Sequence, residues 1–163
     1  MRITELFDNG EFVVTAEVGP PKGFHLEHLV EEATEYLSGI TAVNVTDNQS
    51  SVMRTSTLAT CVALKNAGLT PIYQATCRDR NRLALQSDLL GAAAMGIDNI
   101  LCLTGDHTRM GDHPGAKPVF DLDSVSLLYT ASQLEKGVDL AQIVLVSGLT
   151  VCFPIRQPRK VAE

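Results

Sequence analysis

The chain has 163 residues, with 13 Lys and Arg against 19 Asp and Glu, a formal charge of −6 at neutral pH, and 45% hydrophobic residues. That length suits one domain with a real core, and the acidic balance offers no phosphate-neutralising footprint, so nucleic acid is not an expected partner. Arg2, Glu5 and Asp8 stand where a leader peptide would need a basic patch and an apolar run, and no membrane span is read.

Residues 12–18 alternate, with Phe12, Val14, Ala16 and Val18 on a face suited to helix packing and Val13, Thr15 and Glu17 facing inward. Gly19-Pro20-Pro21-Lys22-Gly23 breaks this strand, and Leu26, Leu29, Val30, Ala33 and Leu37 form a helical stripe closed by Gly39. A second unit follows: strand 42–46, a polar loop Asp47–Ser51, and a helix from about 54 to 67 closed by Gly68. The third runs from strand 72–77 through Arg78-Asp79-Arg80-Asn81-Arg82, with Asp79 as expected N-cap, into a helix carrying Leu83, Leu85, Leu89, Leu90 and Ala94 before Gly96. The fourth is strand 100–104, a long loop to Val119, and a helix from about 124 to 136 closed by Gly137. Leu140–Val151 is strand-like and could be a fifth strand, whereas Pro154–Lys160 carries no helical stripe. Strands alternating with helices imply a parallel sheet with right-handed crossovers. An open flavodoxin-like sheet and a (β/α) barrel both satisfy that pattern, the complete barrel typically needing ~250 residues.

Four strands end in polar groups, at Glu17, at Thr46, at Gln74 and Thr76, and at Thr104-Gly105-Asp106, so polar chemistry gathers at the end of the sheet where α/β proteins bind ligands. An inward Glu17 on an apolar strand either pairs with an arginine or carries a raised pKa that makes it a general acid. Arg78, Arg80 and Arg82 either hold an anion or belong to a solvated loop. Asp106, His107, Asp112 and His113 lie within eight residues and are a candidate metal set, although their spacing matches no specific metal signature. His25 and His28 read as surface helix residues. Cys61, Cys77, Cys102 and Cys152 form no Cys-x-x-Cys pair and read as reduced thiols of a cytoplasmic protein. No dinucleotide fingerprint, P-loop or nucleophile elbow occurs.

Ala16-Glu17-Val18-Gly19-Pro20-Pro21-Lys22-Gly23, Val45-Thr46-Asp47-Asn48, Thr76-Cys77-Arg78-Asp79-Arg80-Asn81, Leu103-Thr104-Gly105-Asp106 and Lys117-Pro118-Val119-Phe120-Asp121-Leu122-Asp123-Ser124 together resemble methylenetetrahydrofolate reductase. The resemblance covers about residues 10–141 in order and favours barrel topology: an α/β fold, a partial TIM barrel of about four to five βα units, with 1–141 as the N-terminal half and 142–163 as a divergent tail. It implies a flavoprotein of one-carbon metabolism that reduces 5,10-methylenetetrahydrofolate to 5-methyltetrahydrofolate with FAD, or FMN, as cofactor. Glu17 matches the acid that protonates the folate nitrogen as the methylene bridge opens to an iminium, and Asp106 matches the carboxylate that stabilises that cation. Thr46, Gln74, Thr104, Gly105 and Asp106 match flavin-contacting positions, and Phe120 lies near the cofactor. Some relatives carry His at the position of Gln74 and Arg at that of Thr104. The implied partners are a folate substrate, NAD(P)H or another electron donor, and further copies of the chain. A sequence that leaves the family pattern after Leu140 reads as a truncated or frameshifted copy, leaving turnover by this chain open. A non-catalytic flavin- or folate-binding half-barrel and a metal-dependent enzyme using the 106–113 loop are the alternatives.

Overall fold

The computed structural model describes residues 1–144. Strands β1 (Thr15–Val18), β2 (Ala42–Val45), β3 (Pro71–Thr76) and β4 (Asn99–Leu103) form one parallel sheet in the order β1-β2-β3-β4. Helix α1 (Ile3–Asp8) precedes them, and α2 (Glu27–Leu37), α3 (Thr57–Asn66), α4 (Arg82–Ala94) and α5 (Ser124–Glu135) follow β1 to β4 in turn. A flavodoxin-like sheet would reverse its strand order at a switch point and carry helices on both faces. Here consecutive strands are neighbours, and all four following helices pack on one face. Ala33, Leu64, Leu89 and Leu127, one from each helix, share a core with Val43, Tyr73 and Ile100 of the sheet. The arrangement is that of a partial (β/α) barrel.

The other face changes character along the strands. At its base Ala42 and Ile72 are buried with Ile3 of α1, and Val13 and Leu101 pack against them. Asn99 ties α1 in place, because its Oδ1 accepts from the Ile3 amide at 3.0 Å and its Nδ2 donates to the Met1 carbonyl at 2.9 Å. At the opposite, C-terminal end the inner positions turn polar. The sheet therefore stoppers one end with a helix and leaves chemistry at the other.

Local hydrogen bonding corrects several sequence-based boundaries. The first strand begins at Thr15 rather than residue 12, because its ladder extends only as far as β2 runs beside it, and Phe12 is 91% exposed instead of packed. Helix α3 begins at Thr57 rather than about 54, since the amides of Arg54 and Thr55 are taken by Asn48 Oδ1 and the Pro21 carbonyl. Asn81, not Asp79, caps α4, accepting from the Leu83 and Ala84 amides, while Asp79 is drawn to Arg78. Gly68, Gly96 and Gly137 close helices with φ of +90°, +70° and +80°; α2 instead ends at Ser38 in a right-handed conformation, so Gly39 is not its left-handed cap. Helix α5 carries a reciprocal capping box between Asp123 and Ser126. Of the proposed fifth strand, residues 140–144 belong to a turn that brings Val144 back to an isolated antiparallel bridge with Val138, and the remainder lies outside the described residues, as does 154–160.

Cys61, Cys77 and Cys102 are free and buried. Burial pushes the thiols of Cys61 and Cys102 up to about 12 and that of Cys77 to about 11. Thiolate, not thiol, is the nucleophile, so these three should resist iodoacetamide at pH 8 in the folded protein. Peptide mapping after alkylation checks this, with labelling at rates matching unfolded protein as the contrary result. Cys152 lies outside the described residues.

Candidate functional site

The C-terminal ends of β1 to β4 and their loops enclose two cavities that meet at Gly105. The first, about 120 Å³, is lined by Glu17, Thr46, Gln74, Thr76, Gly105 and Asp106, together with the 47–50 segment, Arg78 and Leu103. The second, about 540 Å³, is lined by Thr104, Gly105, His107, Phe120 and the start of α5. The residues singled out in the sequence thus fall into two chambers. Glu17, Thr46, Gln74 and Asp106 share one, Thr104 and Phe120 share the other, and Gly105 forms the wall between them.

Gly105 has φ +91°, and a Cβ placed there would lie 2.2 Å from Thr76 Cγ2 and 3.3 Å from Arg78 Cβ. Both conformation and space demand glycine. Gly105→Ala should therefore displace the Thr104–Asp106 turn and lower stability by roughly 1–3 kcal/mol, read as a shifted urea midpoint. An unchanged midpoint would show that the turn relaxes freely.

Glu17 is exposed at the mouth, and Gln74 Nε2 donates to its Oε2 at 3.2 Å. Its partner is a neutral amide rather than the arginine that the sequence left open. Thr46 is different. Its hydroxyl is buried without a hydrogen-bond partner among the described residues, and a Cβ on Gly19 would stand 3.6 Å from it. Thr104 Oγ1 accepts from the Ser124 amide at 3.0 Å, fastening β4 to the first turn of α5. Phe120, at φ +43°, sets its ring 6.3 Å from that of His107.

The arginine cluster is spent on structure. Arg78, 2% exposed, pairs with Asp79 and donates to the carbonyls of Asp106 and Asn48, bracing two rim loops. Arg82 pairs with Asp121 through Nε and Nη2, each at 2.8 Å. Arg80 grips Asp47 at 2.6 and 3.2 Å and also reaches Asp88 at 3.0 Å. Burial works against the Arg80 charge, but the hydrogen bonds and charge of Asp47 outweigh it and hold the guanidinium above its ordinary range. Free anion capture by these three is therefore not what their geometry offers. Asp47, which motif reasoning passed over, is the hub of this region: its carboxylate also accepts from the Thr76 amide at 2.9 Å and the Thr57 hydroxyl at 3.3 Å. Its signal in the sequence was its place directly after a strand, opposite basic residues directly after the next.

The suggested metal set does not assemble. His107 Nδ1 accepts from the Arg109 amide, whereas Asp112 binds Lys22, the Met53 amide and His113. Among the described residues no group of three or more His, Cys, Asp or Glu is placed to hold a metal ion. No helix among them is long and apolar enough to cross a membrane.

Between β2 and α3, Asn48, Ser50 and Ser51 adopt φ of +47°, +55° and +60°. Asparagine tolerates this region, but for each of the two serines it costs about 1–2 kcal/mol, so the turn persists only because its surroundings over-determine it.

A search of curated proteins returned no match to the chain. The family model for methylenetetrahydrofolate reductase matches residues 2–139, a span that takes in every described strand and α-helix and both cavities. With the consecutive parallel sheet and the polar rim at its C-terminal end, that match places the chain in the methylenetetrahydrofolate reductase family, with a fold of the one-carbon, folate-related oxidoreductase type.

Proposed function

We propose that the chain provides the flavin-facing and folate-facing rim of an enzyme that reduces 5,10-methylenetetrahydrofolate to 5-methyltetrahydrofolate, with FAD as cofactor and FMN as the alternative. The observation that carries this reading is Thr46, a residue of the first cavity's wall whose buried hydroxyl has no hydrogen-bond partner among the described residues. A buried polar atom in that state costs about 1–3 kcal/mol, which a ligand edge bearing amide and carbonyl groups, as flavin has, would recover. The fit is chemical as well: Gln74 offers a side-chain amide, Gly105 lets a planar ring approach the backbone, and Phe120 supplies an aromatic face in the adjoining cavity.

When bound, flavin supplies the hydride. The chain's own groups orient the partners and manage charge. Glu17 is the proton donor to the folate nitrogen in this reading, and Gln74 fixes its carboxyl through its amide. Asp106, held by the Arg78 contact to its carbonyl, presents a carboxylate to the cation that forms as the methylene bridge opens. Two carboxylates on one ligand then carry two duties. Thr104 locks β4 to α5 and positions Gly105 from behind. A folate, an NAD(P)H-type donor and a second copy of the chain are the partners of this reading, in a cytoplasmic setting.

The exposure of Glu17 and Asp106 favours a second reading, in which the chain binds flavin or folate without turnover. Titration of the protein with FAD, followed by flavin fluorescence, tests the common element of both. Saturable quenching is expected, and Thr46→Val should weaken it by about tenfold while leaving the ligand-free protein as stable or more so, since it removes an unsatisfied hydroxyl. Absence of quenching at high protein concentration would sink flavin binding in both readings, and unchanged affinity in Thr46→Val would remove the observation on which it stands.

A further inference from the structure

The long segment between β4 and α5 folds back across the rim and ties itself to two other loops. Asp112 makes the tie. Its Oδ2 accepts from Lys22 Nζ at 2.7 Å in the β1–α2 loop, and its Oδ1 accepts from the Met53 amide at 3.0 Å in the β2–α3 loop, contacts that span 90 and 59 positions of sequence. His113 Nδ1 lies 2.9 Å from the same Oδ1. These hydrogen bonds, that from Lys22 foremost, hold the Asp112 carboxyl well below the usual carboxylate range. One residue earlier, Gly111 packs so closely that a Cβ would fall 1.7 Å from the Ser51 carbonyl oxygen. Ser51 closes the strained left-handed turn, and Asn48 to Ser50 of that turn line the first cavity. The cavity wall on that side is built from residues in a conformation that they would not keep alone.

We propose that Gly111 and Asp112 form a knot that presses the 48–51 turn into the first cavity, making them positioning residues for the ligand bound there. The identity of that ligand as flavin rests on the function proposed above, whereas the knot itself does not. Exposed ion pairs contribute little, and the Lys22 side chain is 54% exposed. The weight therefore falls on the close packing of Gly111 and on the Met53 amide, not on the lysine charge. An ordinary surface tether would place it the other way round.

Amide hydrogen exchange on the full chain, with FAD titration of the same samples, decides the matter. Asp112→Ala and Gly111→Ala should speed exchange in peptides covering 48–54 by about tenfold or more while β4 peptides keep their protection. Asp112→Asn, whose side-chain oxygen still accepts from the Met53 amide, and Lys22→Met should stay within about threefold of the parent. FAD affinity should fall in parallel, by about tenfold in Asp112→Ala and Gly111→Ala. If Gly111→Ala also loosens β4, Asp112→Ala decides, because it removes only atoms of an exposed residue. Unchanged exchange at 48–54 in Asp112→Ala overturns the knot, as does faster exchange there with undiminished FAD affinity. Failure of the parent protein to bind FAD defeats the flavin reading alone, and the exchange result still settles the knot.

Discussion

Asp47→Ala is expected to destabilise the protein by about 3 kcal/mol, near the low end of what breaking a buried ion pair costs. The Asp47 side chain is 2% exposed and serves Arg80, the Thr76 amide and the Thr57 hydroxyl at once. Its removal leaves a buried amide without an acceptor and a guanidinium with only part of its countercharge, the remaining partner being Asp88. That loss is a large share of the 5–15 kcal/mol that typically holds a domain together. Asp47→Asn keeps an oxygen for the Thr76 amide and should cost less, about half as much. Arg82→Ala supplies the contrast: the Arg82 side chain is 53% exposed, so loss of its pair with Asp121 should leave the urea midpoint nearly unchanged. Urea denaturation of the three variants measures the order, and equal losses for Asp47→Ala and Arg82→Ala would show that Asp47 is not a hub.

Glu17→Gln is expected to lower folate reduction by about 100-fold or more, the range for loss of a positioned general acid. Flavin reduction by the electron donor should stay within a few-fold of the parent. The substitution is nearly isosteric and keeps an oxygen in place for the Gln74 amide at 3.2 Å, so it retains the geometry while removing the proton donor of the proposed mechanism. Stopped-flow measurement of the two half-reactions in the flavin-loaded protein separates them. Equal loss of both would assign Glu17 a structural part, and loss of neither would remove it from the mechanism.

Much of the fold was legible because the alternation of strands with striped helices obeys strong local rules. The stripe through Leu29, Ala33 and Leu37 places α2 on the core, and the Leu85-Leu89 spacing does the same for α4. The ends of elements were less legible, because they depend on partners far away in sequence. Nothing within 54–56 reveals that Arg54 and Thr55 give their amides to Asn48 and Pro21. Helix α1 was missed for a similar reason: its six residues gain their place from Ile3 entering a pocket whose other walls, Ala42 and Ile72, belong to β2 and β3. At the rim, the gathering of the strand-end residues was legible from their type and position. Asp47 and the Gly111–Asp112 contact were not, since an aspartate beside an arginine looks alike whether exposed or buried, and only packing shows which glycine lacks room for a methyl group.

Because each strand lies beside the one made just before it, a nascent chain can add the βα units in the order of their synthesis, each new strand pairing with its immediate predecessor. Helix α1 is the exception. It is the first helix to be synthesised, yet its anchor at Asn99 stands 96 positions away from Ile3 in β4. Its hydrogen bonds can therefore close only once the fourth strand is in place, and the stopper at the base of the sheet becomes a latch that fastens the start of the chain to β4.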